Sequence, residues 1–393
     1  MGGKILGLTA LLLIAGSSVA EGAFYSGSVL YQLTAPSGFT YSTTSGDPQT
    51  AAGGQVVGFG LAADVSQEAI VWTSDGTPVD LTTPGYISSH ALGTDGAQQV
   101  GVGMLESSNT DALLWTGTGA SAVDLTPNGF STSIADGISG TQQVGSGVIG
   151  TGSNAQQHAL LWTGSAETAV DLEPTSLTGF YGSVAYGIGG GQEVGEGELQ
   201  IGSNYLSHAL LWKGTAESAV DLDPSLAGFS TNNSFAYATN GSQQVGYYAY
   251  TSPELATSDH AMLWSDTAES AVDLNPTNLT GITDSEAFDI YGGEEVGVGG
   301  GSGTDNQLNA MLWFGTADSA VDLQALLPSS DDWTNSCAYT IDGSGNIYGI
   351  ANGTVDGVAG TYAVEWSIPE PGSLSLLALV APVLVARRRR TAL

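Results

Sequence analysis

A tryptophan returns seven times along this chain, at Trp72, Trp115, Trp162, Trp212, Trp264, Trp313 and Trp366, at intervals of 43 to 53 residues. Each closes a short apolar run: EAIVW, DALLW, HALLW twice, HAMLW, NAMLW and YAVEW. A second series keeps step with it, a glycine behind an apolar residue at Gly58, Gly101, Gly145, Gly195, Gly246, Gly297 and Gly349. An Asp-Leu pair follows six of the tryptophans, beginning at Asp80, Asp124, Asp171, Asp221, Asp273 and Asp322. A Ser-x-Ala triplet stands ahead of six of the glycines, as in Ser133 to Ala135 and Ser234 to Ala236. Self-similarity at such a period restricts a chain to solenoids, propellers and related arrays.

Within each unit, four runs of four to six residues are separated by Gly, Asn, Ser and Pro, and no helical period appears. That spacing predicts four short strands joined by turns. Strand side chains alternate, so in HALLW the residues His158, Leu160 and Trp162 face one side while Ala159 and Leu161 face the other. Both faces are largely apolar, which suits a sheet sandwiched between two neighbours and not one with a wet side. The expected fold is all-β, a seven-bladed β-propeller of four-stranded blades. The last unit ends at Trp366 without an Asp-Leu strand, and the front of the chain supplies a matching piece: YQLTAPSGF at Tyr31 to Phe39 parallels DLTPNGF at Asp124 to Phe130. A strand around Val29 to Leu33 is therefore expected to pair beside Ala363 to Trp366 and close the ring. The competing architecture, an open β-solenoid, would need capping units instead. Cys337 is the single cysteine, so no internal disulfide forms and stability must come from buried apolar surface.

The two ends read differently. Lys4, the apolar stretch Ile5 to Ala15 and the small residues Ser18-Val19-Ala20 have the layout of a secretory signal cut between Ala20 and Glu21. At the other end, Ile368-Pro369-Glu370-Pro371 precedes an apolar run, Leu374 to Ala386, and then Arg387, Arg388, Arg389 and Arg390. A helix over Ser373 to Ala386 would cover only ~21 Å of the ~30 Å hydrocarbon core. Such a tail suits a temporary tether, held on the cytoplasmic side by its arginines; a retained inner-membrane anchor is the alternative. The expected organisation is a signal peptide at 1–20, a repeat domain at 21–367 and a sorting tail at 368–393 with a short transmembrane segment.

The tail resembles the PEP-CTERM sorting signal of certain Gram-negative and related bacteria, over Ile368 to Arg390 only. Pro369, Glu370, Pro371 and the arginine cluster match it, and Ile368 stands where Val is more usual. The resemblance implies an exosortase-type processing protease as partner, and delivery to the outer surface or an exopolysaccharide matrix. The repeats resemble HAF-type extracellular repeats, through His158 to Trp162, His208 to Trp212 and Gln55 to Gly58, with Leu where that pattern has Phe. No established activity accompanies that likeness.

Composition then narrows the partners. The chain carries 39 acidic against six basic residues, a formal charge of -33, and Lys213 is the one Lys or Arg outside the two end segments. So negative a surface repels nucleic acid and anionic membranes. A neutral polysaccharide, or an anionic one bridged by calcium, remains as a partner; membrane contact is expected only through the tail, and the chain is expected to be a monomer.

Residues that could carry chemistry fall into repeated and unique sets. His158, His208 and His260 share one slot of successive units, and equivalent positions in a ring cannot converge to the ~2.1 Å of a common metal ion. Each is expected to hydrogen-bond a turn. The Asp-Leu aspartates recur six-fold and read as structural. Unique acids are the better candidates for glycoside hydrolysis: Glu193, Glu196, Glu198, Glu294, Glu295, Asp331 and Asp332. No base or nucleophile pattern accompanies them, and neither catalysis nor a resident metal or cofactor is expected. Asp342, Ser344 and Asn346 space oxygen side chains as a weak calcium candidate, and a glycine-rich hairpin turn explains them equally well. Tyr247, Tyr248 and Tyr250 form an aromatic cluster for which packing of one or two of them into the core is the first expectation and glycan contact the alternative. Trp333 and Cys337 are assigned to structure, the latter as an inert thiol. The expected role is an exported surface or matrix protein that binds or builds without catalysis. The alternative is a polysaccharide-processing enzyme, a hydrolase or lyase, on the same scaffold.

Overall fold

The computed structural model describes residues 25–44, 50–202, 204–224, 233–251 and 257–367. Residues 1–20, expected to be a signal peptide, and Pro369, Glu370, Pro371 and Arg387 to Arg390 lie outside them. Seven antiparallel sheets, each built on four strands, stand around one axis. Numbering blades by their tryptophans, from Trp72 in blade 1 to Trp366 in blade 7, blade 3 shows the common pattern. Its inner strand is Phe130–Ser139, followed outward by Gln142–Ile149, Gln156–Trp162 and the two-residue outer strand Val170–Asp171. The fold class read from the repeat is thus the one observed.

Each repeated residue type has a physical reason. The inner strand bulges just after the alanine of Ser-x-Ala, between Ala135 and Gly137 in blade 3 and at the same place in blades 2 and 4 to 7. A bulge sharpens the local bend, and here it drives the carbonyl of Ile134 onto Gly145 of the second strand. A Cβ on Gly145 would collide with that oxygen, and Gly195 meets Val184 in the same way.

All seven tryptophans are fully buried, and each fills the gap toward the preceding blade. Trp212 of blade 4 packs with Val144, Leu161 and Leu172 of blade 3; Trp162 of blade 3 packs with Val100, Leu114 and Leu125 of blade 2. Burying each such side chain is worth ~1.5–3 kcal/mol. A blade alone would leave half of this surface wet.

The serine of Ser-x-Ala staples the blades. Its hydroxyl oxygen accepts the N–H of the alanine in the third strand of the preceding blade: Ala69 to Ser89, Ala112 to Ser133, Ala159 to Ser183, Ala209 to Ser234, Ala261 to Ser285 and Ala310 to Ser336, at 2.9–3.1 Å. In turn it donates back to that blade, for example Ser183 to Glu173 at 2.6 Å and Ser234 to Asp223 at 2.9 Å.

The seventh blade is composite. Its inner three strands are Asp332–Ile341, Ile347–Val355 and Val358–Ser367, and its outer strand is Ser26–Gln32 from the front of the chain. Gly27 pairs with Trp366, Val29 with Val364 and Gln32 with Tyr362. The closing strand starts three residues earlier than the sequence suggested, and Leu33 extends it by donating to Thr361 O at 2.8 Å. From there the chain enters blade 1, where the Tyr31 hydroxyl donates to Gly54 O at 2.7 Å and the Trp72 indole to Thr34 O at 2.8 Å. Blade 1 also carries an unforeseen short strand, Ala51–Ala52, beside Gln55 and Val56. Among the described residues no helix is long and apolar enough to cross a membrane.

Candidate binding site at the axial mouth

The inner strands of successive blades touch one another around the axis, and their last residues frame one mouth of the central channel. Ala52, Asp95, Ser139, Gly190, Asn240, Tyr291 and Ile341, one from each blade, line a cavity of about 570 Å³ there. That lies within the ~300–1,000 Å³ of typical small-molecule sites.

Two to four residues back along these strands, ~7–13 Å at ~3.3 Å per residue, comes the position after Ser-x-Ala. In blades 4 to 7 it holds Tyr186, Tyr237, Phe288 and Tyr339, and these rings touch in sequence, with centroids 5.6, 5.9 and 6.3 Å apart. Tyr247, on the second strand of blade 5, lies 5.6 Å from Tyr237 and stacks on Phe235 at 4.7 Å. Blades 2 and 3 place Leu92 and Asp136 at the same position. The belt is therefore one-sided, aromatic over four blades.

Acids border that aromatic sector. The Tyr186 hydroxyl donates to Glu196 Oε1 at 2.6 Å. Burial, and then the charge of Glu198, push Glu196 above the ordinary carboxylate range. Glu286 sits half-buried on the inner strand of blade 6, where burial and the charge of Asp259 push its carboxyl up to about 7. Asp289, beside the mouth, is pushed by burial to about 6 although it accepts N–H groups from Ile290 and, across to blade 7, Ile341 at 2.8 and 2.9 Å. Tyr186, Tyr237 and Tyr247 are all held well above the usual phenol range, chiefly by burial, so their hydroxyls stay neutral donors.

The residues singled out from sequence are distributed as follows. His158, His208 and His260 each pair through Nδ1 with the Asp-Leu aspartate of their own blade, Asp171, Asp221 and Asp273, at 2.9–3.0 Å. Those aspartates also accept the N–H two residues on, from Glu173, Asp223 and Asn275, so the histidines do brace a turn. Asp342 accepts N–H groups from Ser344 and Asn346 at 2.7 and 3.0 Å and the side-chain amide of Asn346 at 3.1 Å, with Gly345 at φ 80°. This is a capped hairpin turn, with both Asp342 oxygens engaged. Of the tyrosine trio, Tyr247 joins the belt and Tyr248, facing the opposite way, is buried in the core of blade 5; the side chain of Tyr250 is outside the described residues. Glu193 and Glu295 are buried and accept the N–H of Gly214 and Gly315 at 2.7 Å, as Gln99 and Gln143 do from Gly117 and Gly164. Trp333 packs edge-on to Tyr362 at 6.0 Å. Cys337 is half-buried, and burial pushes its thiol far up.

Sequence reasoning missed Tyr186, Tyr237, Phe288 and Tyr339. Their signal was present: an aromatic residue directly after Ser-x-Ala in four consecutive units. It was hidden because aromatic residues in a repeat read as core.

Architecture and site together define a seven-bladed β-propeller with an aromatic, acid-bordered axial mouth. No family model matches the chain, and no curated protein sequence is similar to it. Among solved structures, the β-propeller domain of the trilobed protease from Pyrococcus furiosus, which has an open velcro topology, is similar over 84% of this chain and 94% of that one, with 8% identity and a TM-score of 0.50. An acylaminoacyl peptidase from Pyrococcus horikoshii is similar over 89% of this chain and 56% of its own, with 11% identity and a TM-score of 0.52. Puromycin hydrolase gives 84% and 55%, with 12% identity and a TM-score of 0.50. The chain spans little more than half the length of the latter two, and at these identities the likeness is one of fold alone.

Proposed function

We propose that this protein is exported, sorted to the cell envelope through its C-terminal tail, and acts outside the cell as a non-catalytic binding propeller whose ligand is a segment of polysaccharide. The observation that carries the reading is the run of contacting rings, Tyr186, Tyr237, Phe288 and Tyr339, the last of which lines the axial cavity of about 570 Å³. Aromatic faces with polar neighbours suit the alternating apolar and hydroxylated faces of sugar rings. An exosortase-type protease would be the processing partner, and the acidic remainder of the surface would keep the protein soluble in a polymer matrix.

A titration of the full chain with oligosaccharides, with and without calcium, tests this. Binding is expected, and Tyr237→Ala should weaken it about ten-fold or more, in keeping with the value of a stacked aromatic anchor. Absence of binding to every oligosaccharide would remove the recognition role. A second reading, a polysaccharide-processing enzyme, is favoured by one feature: Glu286 and Asp259 are carboxyls close enough for the charge of Asp259 to raise Glu286, and glycoside hydrolysis uses a pair of carboxyls. Turnover of any polysaccharide that Glu286→Gln abolishes would establish it in place of the binding role.

A further inference from the structure

The chemistry around the belt narrows the ligand further, on the premise that the mouth is a recognition site. Aromatic faces are electron-rich and attract cations lying over them. Here Tyr186, Tyr237 and Tyr247 are bordered by Glu196 and Glu286, with Asp259 close enough for its charge to act on Glu286. Among the described residues the one opposite charge set against these acids is that of His260, which acts on Asp259; none is set against Glu196 or Glu286. Lys213, the one Lys or Arg among the described residues, is half-exposed and paired with Asp266 at 3.1 Å. His90, on an inner strand, is driven toward neutrality by burial and is held by Gln67 at 2.9 Å. An anionic ligand would add repulsion, and a neutral one would leave the carboxyls uncompensated. A protonated amine satisfies the rings and the acids together.

We infer that the aromatic belt binds the protonated amine of an amine-bearing sugar, with Tyr237 and Tyr247 presenting ring faces to the ammonium group and Glu196 and Glu286 supplying the countercharge. A sugar fits better than a bare amine because the belt meets the axial cavity at Tyr339, and the mouth of that cavity is lined with hydrogen-bonding groups, Ser139, Asn240 and Ser242 among them, which match ring hydroxyls.

The test is calorimetric titration of the full chain, in mild detergent, with three probes: a glucosamine tetramer, its fully N-acetylated counterpart, and spermidine as an amine without a sugar ring. The glucosamine tetramer should bind roughly ten-fold or more tightly than either of the others, and weaken as salt is raised. Glu286→Gln, which keeps shape and removes charge, and Tyr247→Leu should each lose roughly ten-fold or more while the thermal melt shows a folded protein. Equal binding of the acetylated and free tetramers would overturn the amine assignment and leave carbohydrate recognition standing. Spermidine binding as tightly as the tetramer would overturn the sugar assignment. If neither tetramer binds, this inference and the recognition role fall together.

Discussion

Glu295 occupies a slot that holds glutamine in blades 2, 3 and 5, and its job there is to accept one backbone N–H, from Gly315. Burial raises its carboxyl from an ordinary 4.5 to about 7, even though that hydrogen bond favours the charged form. A folded value above the unfolded one means the native state holds the proton more tightly. Stability is therefore full below pH ~4.5 and declines as pH rises toward ~7, by at most about 3 kcal/mol. Glu295→Gln should abolish this decline, raising the melting temperature at pH 8 and leaving it nearly unchanged at pH 4.5. A second residue-scale expectation concerns Gly145. Alanine there must displace the Ile134 carbonyl, and Gly145→Ala should destabilise by about 2–4 kcal/mol in urea unfolding. The glycine series was plain in the sequence, but its cause was not, since a carbonyl folded back by a bulge on another strand leaves no local trace. Glu193 and Glu295 misled for the opposite reason: as acids without counterparts in other units they looked chemical, when each is a glutamine substitute.

At the scale of the strand, the serine staple is the largest element that the sequence exposed without explaining. Six repeats of Ser-x-Ala marked an inner strand, yet only the neighbouring blade reveals that the hydroxyl satisfies an alanine N–H which would otherwise be buried without a partner. Ser234→Ala strips Ala209 of its acceptor and Asp223 of a donor, and should cost about 1–3 kcal/mol, visible as a lower urea midpoint. The histidine slot behaves as its polarity suggested. Burial alone would lower the histidines, but the hydrogen bond and charge of Asp171 outweigh it at His158, and those of Asp221 at His208, and both end up raised from 6.5. The stabilisation this adds is complete below pH 6.5 and disappears as pH climbs through the raised folded values. His158→Gln should therefore lower the melting temperature more at pH 5.5 than at pH 8.5.

For the whole molecule, symmetry was the legible part. Blade number, strand count and the split seventh blade all follow from counting Trp366 as a unit that lacks its last strand. The axial site was illegible for the same reason, because a repeat advertises what its copies share, whereas the belt depends on how Tyr186, Tyr237, Phe288 and Tyr339 differ from Leu92 and Asp136. Deleting Ser28 to Thr34 removes most of the closing strand and should lower the melting temperature substantially; an unchanged melt would show that the ring holds without it. Raising salt should stabilise the protein modestly, since a charge of -33 repels itself in the compact state.

The partner of Ser28 is Glu365, 337 positions away. The first strand to emerge among the described residues thus has nowhere to go until nearly everything else has arrived. Any truncated or stalled product would expose that orphan segment and an unpaired edge on the final sheet, the features that invite proteolysis and cross-chain pairing. Fastening the first described strand to the last makes synthesis through Ser367 a precondition of a closed ring, so that a persisting molecule is one whose seventh blade was made.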